Sequence, residues 1–162
     1  MELRPFDQCG DLSLAASISK NGDRLELSYV LAGDLSDVVI PSLSLPKRTD
    51  GLWRSTCFEA FIATGSVSYV ELNFAPSGQW AAYTFEDYRD GMTELDIAPP
   101  KMLFGENRLI VDVELAAPPG SPLNLTAVIE RRDGVRSFWA LAHPTGSQPD
   151  FHARDCFVAK LP

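Results

Sequence analysis

Residues 57–85 read CFEAFIATGSVSYVELNFAPSGQWAAYTF and contain three apolar segments separated by turn residues. Within each segment, large apolar side chains alternate with small or polar ones, and a period of two is typical of a β-strand. The separators, Thr64-Gly65-Ser66 and Pro76-Ser77-Gly78, contain the residue types that favour tight turns. The stretch therefore predicts three antiparallel strands that follow one another as a meander.

Strand patterns continue on both sides of this meander. Upstream, the segments at 12–18 and 25–31 are separated by an Asn-Gly-Asp turn at 21–23, which predicts a β-hairpin. Downstream, three more segments with strand character are residues 108–115, 124–131 and 135–142. No apolar pattern of helical period persists over the ~11 residues of an average helix. The sequence therefore predicts an all-β fold with little helix: an antiparallel β-sandwich of jelly-roll or immunoglobulin-like type with eight or nine main strands.

The length of 162 residues and the hydrophobic content of 45% fit one compact domain over residues 1–162. A formal charge of -8 repels nucleic-acid phosphates and anionic lipid headgroups. The sequence has no apolar run of the ~20 residues that a spanning helix needs, and its first residues, MELRPFDQCG, lack the apolar segment of a secretory signal. We therefore expect a cytoplasmic protein that binds neither nucleic acid nor membranes. Its three widely spaced cysteines, Cys9, Cys57 and Cys156, predict reduced thiols.

The predicted meander brings several polar side chains to one of its faces. With the simplest hairpin register, Glu59 stands opposite Glu71 and shares its face with Asn73, because strand residues two apart point the same way. The opposite face would form the core: Phe58, Ala60, Ile62, Val70, Leu72, Phe74, Ala81, Tyr83 and Phe85. Two carboxylates ~5 Å apart repel each other. An arginine, a shared proton, a metal ion or a ligand with several hydroxyl groups is needed to offset the repulsion.

Trp53 and Trp80 lie at the ends of the predicted strands, on either side of this polar face. There an indole ring can stack on the flat apolar face of a ligand while carboxylates and amides hydrogen-bond to its polar edge, and a sugar has both. Arg54 or Arg89 would keep the two carboxylates ionised. The sequence therefore predicts a non-catalytic module that binds a small molecule, with a saccharide or sugar-like ligand favoured. Its predicted ligand-binding residues are Trp53, Arg54, Glu59, Glu71, Asn73 and Trp80.

A resemblance to a known family rests on three stretches: LWRSTCFEAF (52–61), YVELNFAPSGQWAAY (69–83) and PDFHARDCF (149–157). Together they resemble the DOMON-like superfamily, which includes the family 9 carbohydrate-binding modules, and in particular a bacterial DOMON-like subgroup. The resemblance implies a β-sandwich that binds its ligand in a cleft over one sheet, with sugar and haem as the known ligand types. It also implies that tryptophans clamp the sugar while charged and amide side chains bind its hydroxyl groups. The residues that would take these roles are Trp53, Glu59, Glu71, Asn73 and Trp80.

Two other functions remain open for the same residues. The separation of ~5 Å between Glu59 and Glu71 is that of the catalytic carboxyls of a retaining glycosidase. Such an enzyme needs one carboxyl with a raised pKa in a closed, water-poor cleft. A protein-interaction domain would instead present the polar face as a flat surface. The shape of the site separates these functions from a binding module, which is the prediction, and no catalytic residue is predicted.

Cofactors are not expected, although two histidines provide weak candidates. His143 and His152 are the candidate metal ligands, but the number of residues between them matches no zinc signature. Paired with Met92 or Met102, either histidine could ligate a haem iron, as His and Met do in cytochromes. The spacing of these residues supports neither site, so the prediction is a module without a cofactor.

Overall fold

The computed structural model describes residues 1–8 and 10–162, and β-strands joined by turns dominate this part of the chain. Its strands, in chain order, are β1 (Glu2–Pro5), β2 (Ser13–Asn21), β3 (Arg24–Ala32), β4 (Cys57–Ala63), β5 (Tyr69–Phe74), β6 (Trp80–Phe85), β7 (Thr93–Glu94), β8 (Lys101–Gly105), β9 (Arg108–Glu114), β10 (Pro122–Glu130), β11 (Arg136–Ala140) and β12 (Ala159–Lys160). Helical structure in the described residues consists of two single 3-10 turns, Leu52–Arg54 and Arg154–Cys156. None of these helical turns is long and apolar enough to cross a membrane.

These strands pair antiparallel in one continuous sheet that curls as a half-barrel. The strand order is β7-β6-β5-β4-β10-β11-β1-β2-β3-β9-β8, and β12 pairs beside β10. β1 joins the two halves of the sheet, because it pairs with β11 on one side and with β2 on the other. The curl brings β3 over β4, where the Tyr29 hydroxyl donates a hydrogen bond of 2.7 Å to the carbonyl oxygen of Glu59.

The prediction of an all-β, antiparallel fold with little helix is confirmed, but the described chain has more strands than the eight or nine expected. The strands that the sequence did not reveal, β1, β7 and β8, span two to five residues each, which is too short for a period of two to be recognised. The sandwich, jelly-roll and immunoglobulin-like types are not confirmed, because β1 makes the sheet continuous. A single domain over residues 1–162 stays a prediction. Cys57 and Cys156 are free thiols, whereas Cys9 lies outside the described residues.

The main core fills the inside of the curled sheet. Alternate residues of facing strands supply it, among them Leu25 and Leu27 of β3 and Phe58 and Ile62 of β4, and all four are fully buried. Burial of a large apolar side chain contributes roughly 1.5–3 kcal/mol. A slip of one residue would turn a strand's whole apolar set to its other face, so this burial decides the direction in which each strand points its side chains.

A second apolar cluster covers the other face of the meander, so that β4 and β5 are buried on both sides. Phe61, Tyr69 and Phe85 of the meander pack there against Phe151 and Phe157. The last two belong to the C-terminal tail, which we define as residues 143–158. This tail-side face of the meander also carries the polar residues that the sequence singled out.

The register of β4 and β5 differs from the predicted one by two residues. Glu59 pairs with Asn73, and Glu71 pairs with Phe61 rather than with Glu59. The reason is the length of the connecting loop, which closes with a hydrogen bond of 3.1 Å from the Thr64 N–H to the Ser68 carbonyl oxygen instead of turning over three residues. Because side chains alternate with a period of two, a shift of two keeps both glutamates and Asn73 on one face.

The prediction for the faces of β6 was wrong. Trp80 pairs with Phe74, and residues directly opposite each other in a ladder share a face, so the Trp80 side chain enters the main core. The turn fixes this register, since the Ala75 N–H donates a hydrogen bond of 2.9 Å to the Gln79 carbonyl oxygen. The residues Ala81, Tyr83 and Phe85, which were expected in the main core, belong to the tail-side cluster instead.

Gly33, just after β3, has a backbone conformation that requires glycine. Its φ is +107°, and an added Cβ would lie 2.2 Å from the backbone oxygen of Asp11. We expect Gly33→Ala to lower the free energy of unfolding by about 1–3 kcal/mol or more, because the backbone must move to relieve the contact. Gly22→Ala is the matched control, since its φ is also positive, at +61°, but a Cβ there meets nothing within 4 Å. Urea denaturation measures the free energy of unfolding of both variants. Equal losses would contradict the conclusion that the close contact with Asp11 requires glycine at position 33.

Candidate ligand-binding cavity

A cavity of about 360 Å³ lies on the tail-side face of the meander. Its volume is within the range of small-molecule pockets, about 300–1,000 Å³. Aromatic rings line much of it, and they come from Trp53, Phe61, Phe85, Phe138 and Phe151. Ionisable side chains line the rest, and they come from Glu59, Glu71, Arg89, Arg136 and His152. The concave shape differs from the flat surface that an interaction domain would present.

The main core positions the acidic part of this lining. Phe58, Ala60 and Ile62 point into the main core, and the alternation of β4 therefore directs Glu59 and Phe61 to the tail-side face. The same alternation in β5 directs Glu71 and Asn73 to that face. Glu59 and Glu71 are thus diagonal neighbours on adjacent strands. Both are held by strands whose other face is fully packed.

The two glutamates are buried, and one oxygen of Glu59 is unsatisfied. Glu59 is 2% exposed, and its Oε2 accepts a hydrogen bond of 3.1 Å from the Thr126 hydroxyl. Its Oε1 has no hydrogen-bond partner among the described residues. Glu71 Oε1 accepts a hydrogen bond of 2.7 Å from Asn73 Nδ2, and Oε2 lies 3.8 Å from His152 Nε2. Leaving a buried polar atom unpaired costs about 1–3 kcal/mol, so Glu59 Oε1 is a destabilising feature of this site.

Burial disfavours the ionised form of both carboxyl groups. It raises the pKa of Glu59 well above its usual value, and the charge of Glu71 raises it further. Burial also raises the pKa of Glu71, against the opposing effects of the Asn73 hydrogen bond and the Arg89 charge. The guanidinium of Arg89 forms its ion pair with Asp150, at 2.8 Å, and not with a glutamate. The raised pKa values favour a proton on the pair, which is one of the ways to offset the repulsion that the sequence led us to expect, and the described arginines form no ion pair with either glutamate.

His152 connects the tail to both β5 and the acidic pair. Its Nδ1 lies 2.7 Å from the Tyr69 hydroxyl, which itself accepts a hydrogen bond of 3.2 Å from the Arg89 backbone N–H. The other ring nitrogen, Nε2, faces Glu71 Oε2. Burial, followed by the charge of Arg89, lowers the pKa of His152 to about 4. The imidazole is accordingly neutral near pH 7.

The structure brings together four of the six predicted ligand-binding residues. Trp53, Glu59 and Glu71 line the cavity, and Asn73 lies directly behind Glu71. Trp53 is 36% exposed, at the solvent side of the cavity, and packs edge-on against Tyr83 with ring centroids 6.2 Å apart. Their roles in binding stay a prediction, and Asn73, which is fully buried and outside the lining, acts on the cavity only through Glu71.

Trp80 and Arg54 are not brought to the cavity. Trp80 is 4% exposed in the main core, and the Arg48 guanidinium lies 4.5 Å from the centroid of its ring. The phase of β6 places it on the opposite side of the sheet from Glu59. Arg54 ends the 3-10 turn before β4, is exposed and does not line the cavity. The lining of the cavity thus includes neither of these two residues, although the sequence predicted both as ligand-binding.

Sequence reasoning missed most of the tail's contribution. His152 and Phe151 form part of the cavity lining, although the tail has no periodic pattern that would place it over the meander. The signal that existed was the stretch PDFHARDCF, which contains both residues. Phe138 of β11 was missed as well, because its strand is separated from β4 by β10 in the sheet.

The two histidines do not form a common metal site. His143 Nε2 lies 2.8 Å from the carbonyl oxygen of Arg4, whereas His152 contacts Tyr69. Among the residues that the structure describes, no group of three or more His, Cys, Asp or Glu side chains is placed to hold a metal ion. Met92 lines the same cavity as His152, and Met102 packs against the main core.

A second cavity, of about 560 Å³, lies by β3 and β9 and has a different character. Its lining is polar and includes Arg24, Lys101, Asp112 and Glu114. Arg24 and Asp112 already satisfy each other through an ion pair of 2.6 Å, in which the arginine side chain is more than half exposed. It contains no aromatic ring and none of the unpartnered buried atoms, so it is the weaker candidate despite its size.

Comparisons with known proteins identify the fold. No protein-family model matches the chain, and no curated protein matches it either. A crystal structure of a proposed carbohydrate-binding protein from Bacteroides uniformis ATCC 8492 is similar, with a TM-score of 0.68 and 13% sequence identity. The match covers 97% of this chain and 84% of that chain. At this identity, the similarity shows that the two proteins share a fold.

Proposed function

We propose that this chain is a non-catalytic module that binds a small molecule in the tail-side cavity, and that the ligand is a saccharide or a sugar-like molecule. The observation that carries the proposal is the buried, unpartnered Oε1 of Glu59 in an aromatic-lined cavity. A ligand hydroxyl that donates to this oxygen would remove the cost of about 1–3 kcal/mol for an unpaired buried acceptor.

The aromatic and acidic parts of the lining would contact different parts of a sugar. Trp53, which is partly exposed, would stack on the apolar face of the sugar ring. Glu59 and Glu71 would accept hydrogen bonds from its hydroxyl groups. Asn73 would fix the orientation of Glu71 through their hydrogen bond of 2.7 Å.

Two similarities support this proposal. The Bacteroides uniformis protein of the same fold has carbohydrate binding as its proposed role. The stretches 52–61, 69–83 and 149–157 resemble the DOMON-like superfamily, and each of them contributes to the cavity lining. We therefore propose that the chain is a distant DOMON-like protein and that its curled sheet is a variant of that superfamily's jelly-roll sandwich. One domain over residues 1–162 and a cytoplasmic location are further parts of the proposal.

Glycoside hydrolysis is the alternative that one observation favours. It requires a raised carboxyl pKa, and burial raises the pKa of Glu59. It also requires that the partner carboxyl be ionised at the same pH. Burial raises the pKa of Glu71 as well, and no arginine pairs with it among the described residues. We therefore favour binding without catalysis.

Thermal unfolding with a panel of neutral and charged monosaccharides tests the proposal. A ligand present at 100 times its Kd stabilises a protein by about 2.7 kcal/mol, which raises the Tm by about 5–10 °C at this chain length. We expect at least one sugar to do so for the wild type and for Leu103→Ala, an exposed apolar control on β8. Trp53→Ala should lose most of the rise. Indifference of the wild type to the whole panel would contradict the proposal, and turnover of an aryl glycoside that is lost in Glu59→Gln would favour the enzyme.

A further inference from the structure

We infer that the ligand of the tail-side cavity carries a positively charged amino group, which forms ion pairs with Glu59 and Glu71. The inference rests on the proposed function and adds the chemical class: an amino sugar, or a sugar-like molecule with a primary amine. It follows from three features of the lining: open acceptor atoms, acidic groups that lack an ion pair, and aromatic rings.

The open acceptors are two carboxylate oxygens. Glu59 Oε1 has no partner among the described residues although the side chain is 98% buried, its exposed fraction being 2%. Glu71 Oε2 has His152 Nε2 at 3.8 Å, which is too long for a hydrogen bond. A hydroxyl group has one O–H to donate, whereas an ammonium group has three N–H donors. An ammonium group therefore has enough donors for both oxygens.

The cations already at the cavity compensate the two glutamates only in part, since Arg89 lowers the pKa of Glu71 without forming an ion pair with it. Arg89 forms its ion pair with Asp150, and the Tyr88 hydroxyl donates a second hydrogen bond to that carboxylate, at 2.7 Å. Arg136 lines the cavity but is exposed, at the start of β11. His152 is neutral near pH 7. No cation among the described residues therefore forms an ion pair with the two buried glutamates. A cationic ligand can supply this missing positive charge.

The aromatic rings favour the same ligand. The faces of aromatic rings carry negative electrostatic potential and attract ammonium groups, by about 0.5–2 kcal/mol for each contact. Phe61 lies among other rings, with its centroid 6.2 Å from that of Phe151 and 5.1 Å from that of His152. Phe85, Phe138 and Trp53 complete the aromatic lining. Carboxylates surrounded by rings form the kind of lining that recognises amines.

Ion pairing with the ligand also predicts a coupling to protons. In the free protein, burial favours the protonated carboxyls, whereas an ammonium group favours the ionised ones. An amine should therefore bind more tightly as the pH rises through the raised pKa values of Glu59 and Glu71, with release of protons.

The other titratable groups facing the pair are Cys57, Tyr69, Tyr83, Arg89, Arg136, Asp150 and His152. Burial raises the pKa of the Cys57 thiol and of the Tyr69 and Tyr83 phenols and lowers the pKa of His152 to about 4, so these four groups stay neutral between about pH 5 and pH 7.

Isothermal titration calorimetry with four probes tests the inference: D-glucosamine, N-acetyl-D-glucosamine, D-glucose and methylammonium. The three sugars share a ring, and glucosamine alone among them carries a charged amine. We expect glucosamine to bind at least about tenfold more tightly than the neutral sugars near pH 7, since a charge-assisted hydrogen bond contributes about that much. Its affinity should fall towards pH 5. Glu59→Gln should remove both effects, and Glu114→Gln, an exposed glutamate on β9, should keep them.

The outcomes separate this inference from the proposed function. Equal binding of all three sugars would contradict the inferred amino group but would still support a saccharide as the ligand. If methylammonium binds and none of the three sugars does, the result would support the inferred amino group and contradict the proposed saccharide ligand. Failure of all four probes to bind the wild type at millimolar concentrations would overturn both. Glucosamine affinity unchanged in folded Glu59→Gln would overturn the ion pair.

Discussion

Phe58→Ala is expected to lower the free energy of unfolding by about 3–5 kcal/mol without weakening ligand binding, because the Phe58 ring belongs to the main core alone. It is fully buried, and its centroid lies 5.1 Å from that of Tyr29 on the facing half of the sheet. Truncation leaves a cavity between β3 and β4, on the side of the sheet away from the ligand site. Urea denaturation measures the loss.

Phe61→Ala is the matched variant on the same strand, and we expect it to lose both stability and binding. Phe61 is 1% exposed, but it faces the tail, lines the cavity and contacts Phe151 and Phe157. Its removal should cost about 3–5 kcal/mol as well, and it should also weaken whichever sugar stabilises the wild type. Calorimetric binding at a temperature where both variants stay folded separates the two faces. Normal binding by Phe61→Ala would contradict the location of the site.

Glu59→Gln is expected to be more stable than the wild type near pH 8, by about 1–3 kcal/mol, and to lose this advantage as the pH falls towards 4.5. Burial raises the folded-state pKa of Glu59 above its ordinary value of 4.5. The folded protein then holds the proton more tightly than the unfolded chain. Stability from the protonated carboxyl is therefore fully present below pH 4.5 and is lost as the pH rises through the raised pKa. Glutamine cannot ionise, so the variant keeps this stability at high pH.

His152 contributes a slope of the opposite sign, so the difference between the two proteins is the quantity to measure. Its folded-state pKa of about 4 lies below the ordinary value of 6.5, and its contribution to stability is lost as the pH falls through that range. The contribution is common to Glu59→Gln and the wild type and cancels in the difference. Urea denaturation at several pH values gives the result, with Glu114→Gln as the exposed control. A wild type that is more stable than Glu59→Gln at every pH would show that the carboxylate is stabilised by its surroundings.

The meander and its polar face could be predicted because both depend on alternation. Glu59, Glu71 and Asn73 share a face even though the register was displaced by two residues, since a displacement of two leaves every side chain on its own face. The face of Trp80 depends instead on which residue of β5 it opposes, and the Ala75–Gln79 hydrogen bond decides that. Alternation within a strand carries no information about this pairing.

The other half of the site could not be predicted from local patterns. The tail covers the meander because Phe151 and Phe157 pack against Phe61 and Tyr69, contacts that span more than 80 residues of sequence. The tail makes the tail-side face concave, and the cavity stays open to solvent at Trp53, which is 36% exposed. Burial by the tail is also what raises the pKa of the glutamates, so the chemistry of the site depends on tertiary packing.

The crystal structure of the wild type grown with D-glucosamine tests the central claim most directly. We predict the sugar in the tail-side cavity, with its amino nitrogen within about 3.2 Å of Glu59 Oε1 and its ring against Trp53. Sugar bound instead in the polar cavity beside Arg24 and Asp112, with solvent alone next to Glu59, would contradict the account.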